Sequence, residues 1–370
     1  MGLAPAPIER IDAVPLRVPL DRVYAGSHYS MRNRATIVTR VHAGGLVGEC
    51  YNGDTDNEQA AVVRIIAEEI GPLLRGRDAL NVEGCWERML AVTFNILRDR
   101  NLGLQAIACV DSALWDLLGK AVGQPLYRLW GGFADALPLN VIGGYYSDDA
   151  DAVEREAERW LTMGFRGCKF KVGGRTPEVD AERVRRLRRV VGPAFTITVD
   201  ANQGWMLEEA VRFVRLASEC DLRWFEEPCR WTNDQMWLRD VRCMTGLPVC
   251  AGQSETTAQG VRALITGGAI DVCNLDASWS GGATFWRRVA GMAALYGVRM
   301  GHHEEPQVAA HLLGGVSHAT YLECFLPERD PLFWTLVANR GELVDGRYPV
   351  PQGSGFGLVL DEGVIARSRI

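Results

Sequence analysis

The residues with most chemical capacity in this chain are short polar groups that recur through its second half. The first is Gly167-Cys168-Lys169-Phe170-Lys171-Val172-Gly173, a strand-like run that carries two lysines. Side chains at i and i+2 of a β-strand share a face, so Lys169 and Lys171 emerge side by side. On an exposed edge strand that arrangement costs little. Inside a barrel, two buried ammonium groups require anions beside them. Candidate anions follow downstream: Asp200-Ala201-Asn202, Glu226-Glu227-Pro228, Gly252-Gln253-Ser254-Glu255, Asn274-Leu275-Asp276 and Glu323, with His302-His303 between the last two. Any one of these is compatible with a helix N-cap. Core packing, however, does not select ionisable residues after one apolar run after another. Carboxylates that converge from successive strands make a hard, oxygen-rich site suited to Mg²⁺.

The elements that must position these groups are legible as a rhythm. From Leu137 onward, β-rich runs alternate with amphipathic helices: Leu139–Tyr145, Gly167–Val172, Phe195–Asp200, Arg223–Glu226, Pro248–Ala251, Asp271–Leu275, Val298–Gly301 and Tyr321–Cys324. Between the first two, Ser147 reads as an N-cap, Val153, Ala157, Trp160 and Leu161 form a stripe, and Gly164 ends the helix. A second helix starts at Thr176-Pro177. Strands alternating with helices at a spacing of roughly 25 residues point to a (β/α)₈ barrel, with a doubly wound sheet as the alternative layout. A barrel presents its site at the C-terminal ends of its strands, where the polar groups stand.

Upstream, residues 10–55 alternate as an antiparallel sheet. It is interrupted by a mobile loop over Asp21–Arg34, containing Tyr24, His28, Tyr29 and Arg32, and by a second polar loop over Cys50–Asp54, with Tyr51 and Asn52. Helical spacing runs from Glu58 to Gly119. The expected organisation is an α+β capping domain over 1–132, a barrel over 133–325, and a segment over 326–370 that packs back on the capping domain.

Composition bounds the function. The chain has 370 residues, 47% hydrophobic and 23% charged, with a net charge of −6, which disfavours a nucleic-acid surface. The arginines between Arg183 and Arg189 alternate with apolar residues and read as the wet face of a helix. No signal peptide is evident at the N-terminus. No apolar run approaches the ~18 residues that would predict a membrane span. Ten cysteines without a C-x-x-C pair suit reduced, buried thiols and a cytoplasmic protein.

As a set, these motifs resemble the enolase superfamily and, within it, the mandelate racemase-like subgroup. The resemblance covers nearly the whole chain. It includes Ala113-Leu114-Trp115-Asp116 through Gly123-Gln124-Pro125-Leu126 to Gly131-Gly132, Lys-x-Lys, Asp-x-Asn, Glu-Glu-Pro, Asp276 with Gly281-Gly282, and His303. The spacings also agree, with 29 residues from Lys171 to Asp200, 26 from Asp200 to Glu226, and 27 from Asp276 to His303.

The resemblance implies a modified TIM barrel, (β/α)₇β, behind an N-terminal α+β cap. It implies Mg²⁺ as cofactor, abstraction of the proton alpha to a carboxylate, and an enediolate intermediate. By resemblance Asp200 and Glu226 are metal ligands, Lys169 neutralises the substrate carboxylate, and Lys171 is a general base. His303, oriented by Asp276 and preferred over His302, is the acid/base on the opposite face. Glu323 hydrogen-bonds the enediolate and Asn202 orients substrate. The departure lies on the fifth strand, where the family's third carboxylate ligand is replaced by Gln253. Glu255, two residues on, is the favoured substitute, because carboxylates hold Mg²⁺ better than amides; Gln253 is the alternative.

Tyr24, His28, Tyr29, Arg32, Tyr51 and Asn52 are hydrogen-bonding types that suit a polyhydroxylated substrate, whereas Trp205, Trp231 and Trp279 suit an apolar pocket. The expected reaction is dehydration of a sugar acid, aldonate or aldarate, to a 2-keto-3-deoxy acid. The alternatives are a racemase or epimerase of a 2-hydroxy acid, and a non-catalytic descendant with an impaired metal site. The expected partners are a small-molecule carboxylate and further copies of the chain, dimer to octamer, with no nucleic acid or membrane.

Overall fold

The computed structural model describes residues 4–53 and 56–370, so Asp54 of the second polar loop lies outside the described residues. The N-terminal unit is a three-stranded antiparallel sheet of β1 (Ile8–Ala25), β2 (Ser30–Ala43) and β3 (Leu46–Asn52). Ala43 pairs with Leu46 across a two-residue turn, whose Gly44 and Gly45 both have positive φ, +56° and +77°. A turn that matches the strand twist in this way calls for glycine.

The helix Arg100–Val122 packs on this sheet, its start capped by Asp99 and its end by left-handed Gly123. The approach is close: a Cβ on Gly48 of β3 would lie 2.0 Å from the Ala113 carbonyl oxygen. This helix is also long and apolar enough to cross a membrane. It is nonetheless enclosed, and its buried Asp111, Ser112 and Asp116 are all bonded to neighbouring segments.

Eight parallel strands follow: β4 (Ala136–Gly143), β5 (Gly167–Lys171), β6 (Thr196–Asp200), β7 (Leu222–Glu226), β8 (Val249–Ala251), β9 (Val272–Cys273), β10 (Arg299–Met300) and β11 (Leu322–Phe325). Their spatial order is β10-β9-β8-β7-β6-β5-β4-β11. The ring is completed by Met300, whose N–H donates to His318 O and whose carbonyl accepts from Thr320 N, both at 2.9 Å, just before β11. This is the expected modified barrel. The last strand, β12 (Arg347–Pro349), pairs antiparallel with β4, and the terminal helix Glu362–Ser368 contacts β1.

Three local expectations are corrected. Asp21–Arg34 is not a loop: β1 and β2 continue through it as a hairpin closed by Gly26 N to Tyr29 O, and only residues 26–29 turn. Ser147 accepts from Asp149 N in a preceding turn, and the helix begins at Ala152 with Asp151 as its cap residue. Arg183 is not on a wet face. Its guanidinium donates to the Lys171 carbonyl at 3.0 Å and to Asp180 at 2.7 Å, which fixes the end of β5. The ten cysteines are all free thiols, nine of them buried.

Candidate active site

Ladder register brings the charges together: Lys171 pairs with Asp200, and Asp200 with Glu226, so one row of the barrel carries all three. Lys171 Nζ lies 2.8 Å from Asp200 Oδ2 and donates to Asn202 Oδ1 at 2.9 Å. Lys169 Nζ lies 3.0 Å from Glu226 Oε1, 2.9 Å from Glu323 Oε2 and 3.8 Å from Asp200 Oδ2. The five charged side chains are buried, so the exposed edge-strand reading of the lysines is excluded. Burial opposes the charge of Lys171, but Asp200 outweighs it and holds the ammonium above its usual pKa. Against the same burial, Lys169 is raised by Glu226, Glu323 and Asp200. Burial pushes the Glu226 carboxyl up to about 7, with Lys169 pulling the other way.

Across the barrel, at the end of β10, stand the two histidines. His302 accepts from Ala277 N at 3.1 Å through Nε2 and bonds the His303 carbonyl at 2.9 Å through Nδ1, so both ring nitrogens serve the backbone. His303 turns to the cavity, with Nδ1 2.9 Å from Asp276 Oδ2 and Nε2 3.1 Å from Glu304 Oε1. Asp276 is itself aimed by Ser278 N at 2.7 Å. Burial disfavours an imidazolium here, but Glu304 and Asp276 overcome it and raise the His303 pKa well above the ordinary value. The Trp279 ring lies 5.1 Å from that of His303.

The end of β8 resolves which side chain faces this space. Gly252, with φ +136°, turns the chain out of the strand, so Gln253 rather than Glu255 borders the cavity. Glu255 points instead to the start of the helix Ala258–Thr266: a Cβ on Gly260 would fall 1.6 Å from its carboxylate oxygen. Gln253 Nε2 donates to Glu227 Oε2 at 2.9 Å, which fixes the amide so that Oε1 is left for another partner. Both Gln253 Oε1 and Glu226 Oε2 are buried oxygens with no hydrogen-bond partner. Such orphans are costly unless a cation or donor meets them. Among the described residues no three His, Cys, Asp or Glu side chains converge as a metal cluster. The donor set that fits Mg²⁺ is therefore two carboxylates and one amide oxygen: Asp200, Glu226 and Gln253.

A cavity of about 320 Å³ opens above this floor, bounded by Tyr29, Met31, Lys171, Asn202, Gln203, Glu227, Gln253, Ser254, Trp279, His303 and Glu304. Of the loop residues expected to meet substrate, Tyr29 is among them and the others are not. Tyr24 is buried in a cluster with Ile142, Tyr145 and Phe325. His28 is exposed at the hairpin tip, with its Nε2 3.3 Å from Gly204 O, and Arg32 is exposed. Tyr51 is in the core, and Asn52 Nδ2 donates to Ser112 and Ser278, which ties the cap to the turn that carries Asp276. The sequence reading missed Glu227, Asn274 and Glu304. Asn274 Nδ2 donates to Glu226 Oε1 at 2.9 Å. The doublets Glu226-Glu227 and Glu304-Glu305 were the available signal for the other two.

Acids, bases and unfilled oxygens around the mouth of a β/α barrel define an enzyme type, and comparison with known proteins specifies it. Residues 11–131 match the mandelate racemase/muconate lactonizing enzyme N-terminal domain, and residues 152–364 the enolase C-terminal domain-like family. The chain belongs to the enolase superfamily, in its mandelate racemase subgroup. It is 29% identical to 3,6-anhydro-alpha-L-galactonate cycloisomerase of Streptomyces coelicolor, over 96% of this chain and 97% of that one. It is 28% identical to arabinonate dehydratase of Saccharolobus solfataricus, over 84% and 83%. A mandelate racemase/muconate lactonizing enzyme from a marine actinobacterium, solved in complex with magnesium, superposes with a TM-score of 0.93 at 45% identity over 99% of both chains.

Proposed function

We propose that this protein dehydrates a sugar acid, with Mg²⁺ as its cofactor, to a 2-keto-3-deoxy acid. Lys169, clamped by Glu226 and Glu323, neutralises the substrate carboxylate. Lys171 Nζ takes the proton from Cα. The electron pair of that C–H bond forms the enediolate and then the Cα–Cβ double bond as the Cβ–O bond breaks. His303 gives its Nε2 proton to the leaving hydroxyl, which departs as water, and the enol becomes the 2-keto group. Mg²⁺ held by Asp200, Glu226 and Gln253 would supply Lewis-acid stabilisation of the enediolate and draw on the Asp200 charge that otherwise keeps Lys171 protonated.

The observation that carries this reading is the pair of carboxylates on His303, Asp276 Oδ2 at 2.9 Å from Nδ1 and Glu304 Oε1 at 3.1 Å from Nε2. An imidazole so flanked rests as the charged acid, which suits expulsion of a hydroxyl. A racemase needs the same residue to act as a neutral base in one direction. The named relatives divide between dehydratase and cycloisomerase, so the reaction must be tested directly. A library of sugar acids is incubated with protein and Mg²⁺ in D₂O, with 2-keto-3-deoxy product and alpha-proton exchange followed together. Keto product is the expected outcome. Exchange with inversion or ring closure and no keto product would replace dehydration by isomerisation, and no exchange with any acid would remove the enediolate chemistry. The expected cytoplasmic location, homo-oligomeric assembly and division at residues 132 and 325 belong to the same reading.

A further inference from the structure

Glu304 helps keep His303 charged but moves no proton in the chemistry above, and its carboxylate stands at the cavity wall beside the acid. Its position is built rather than incidental. Glu304 and Glu305 are consecutive non-glycine residues in the left-handed region, at φ +51° and +48°. Such strain persists only where the surroundings enforce it. Here Glu304 N donates to Glu323 Oε2 at 3.0 Å, and Glu305 is held by Arg34 at 3.0 Å, which in turn grips Asp330 at 3.0 Å. Burial works against a charge on Glu304, but His303, Arg329 and Arg34 outweigh it and hold the carboxyl well below the usual range, so it is an anion.

We propose that Glu304 determines the substrate class, admitting acids with one carboxylate and a neutral hydroxylated tail and excluding diacids. The inference rests on the dehydratase reading for orientation: with the substrate carboxylate at Lys169 and the β-hydroxyl at His303, the carbons beyond Cβ lie on the Glu304 side. The cations at the described cavity wall are Lys171 and His303, both committed to proton transfer. A second carboxylate would therefore meet a fixed anion 3.1 Å from His303 Nε2, with no cation at the described cavity wall beyond those two. Hydroxyl groups, by contrast, find acceptors and donors in Glu304, Ser254 and Gln203. Like charges brought together in a desolvated site reject a partner strongly.

The test uses two stereochemically matched pairs, gluconate with glucarate and galactonate with galactarate. Binding to the Mg²⁺-loaded protein is measured by calorimetry and turnover by keto-acid formation. In the wild type each diacid is expected to bind at least about tenfold more weakly than its monoacid, as one unfavourable contact of this kind implies. Glu304→Gln, close in shape, should bring the ratio towards one. Glu304→Asp, which keeps the charge, should retain most of the discrimination. A merely structural role would affect both members of a pair equally. Equal binding in the wild type, or a ratio unchanged in Glu304→Gln, overturns the proposal. The expected binding ratio without keto product from any acid would overturn dehydration while leaving Glu304 as the selector.

Discussion

In the proposed Mg²⁺ site, Gln253 would set how much negative charge meets the metal. A neutral amide in the third position leaves two carboxylates against a divalent ion, and affinity in such oxygen sites follows the number of charged ligands. Gln253→Glu is therefore expected to tighten Mg²⁺ binding and Gln253→Ala to weaken it, each by about tenfold. Glu255→Gln should leave it nearly unchanged, because Glu255 lies at the start of the helix Ala258–Thr266. A larger loss in Glu255→Gln than in Gln253→Ala, by calorimetry, would return the ligand role to Glu255. The two proton carriers should separate as cleanly. Lys171→Ala and His303→Asn are each expected to lower turnover by about 10²–10⁴-fold with the fold intact. Alpha-proton exchange should survive in His303→Asn and vanish in Lys171→Ala. The reverse pattern would exchange their roles.

At the scale of elements, the site was legible where strands behave as strands and illegible where the chain leaves them. Lys169 and Lys171 follow the two-residue alternation of β5, and Asp200 and Glu226 fall in the same row because parallel register is regular. The preference for Glu255 extended that alternation past Ala251, but β8 ends there and Gly252 turns away. Glu304 lies beyond β10 on two left-handed residues, a geometry that no periodicity announces. Tyr24, Tyr51 and Asn52 were assigned to loops by polarity, yet all three lie buried on strands of the capping sheet. The same misreading hid Arg34, whose buried guanidinium lies 3.0 Å from Glu305 on one side and 3.0 Å from Asp330 on the other. It joins β2 to the turn that holds Glu304. Removing one partner of such a group strands the others, so Arg34→Met should cost about 3–5 kcal/mol in denaturant unfolding. Burial already pushes the Glu305 carboxyl up to about 8, so the variant relieves part of this by keeping its proton, and the deficit should widen as pH rises. A loss below about 1 kcal/mol at pH 9 would mean that the hairpin is held by other contacts.

For the molecule as a whole, one of the joints between cap and barrel runs through polar groups on one apolar helix. Asp111, from Arg100–Val122, accepts Thr284 N at 2.9 Å and Thr284 Oγ1 at 2.7 Å, and so caps the barrel helix Ala283–Leu295 from outside. The Gly281-Gly282 motif makes this possible: a Cβ on Gly282 would lie 2.3 Å from Asp111 Oδ2. A helix N-terminus favours the anion, but burial dominates and pushes the Asp111 carboxyl up to about 7 from its ordinary 3.8. The sign of the consequence follows from proton counting. Below pH 3.8 the folded and unfolded states both hold the proton. Between there and about 7 the unfolded chain releases it and the folded one does not, so this group's contribution to stability declines through that window and levels off above it. Asp111→Asn keeps an acceptor for Thr284 N and has nothing to titrate. Its stability relative to wild type should therefore improve from pH 4 to pH 7 by a few kcal/mol and stay constant beyond. Chemical unfolding of the two proteins across pH 4 to 9 reads this difference directly. A flat difference would mean that Asp111 keeps an ordinary pKa, with the helix terminus rather than burial controlling the joint between cap and barrel.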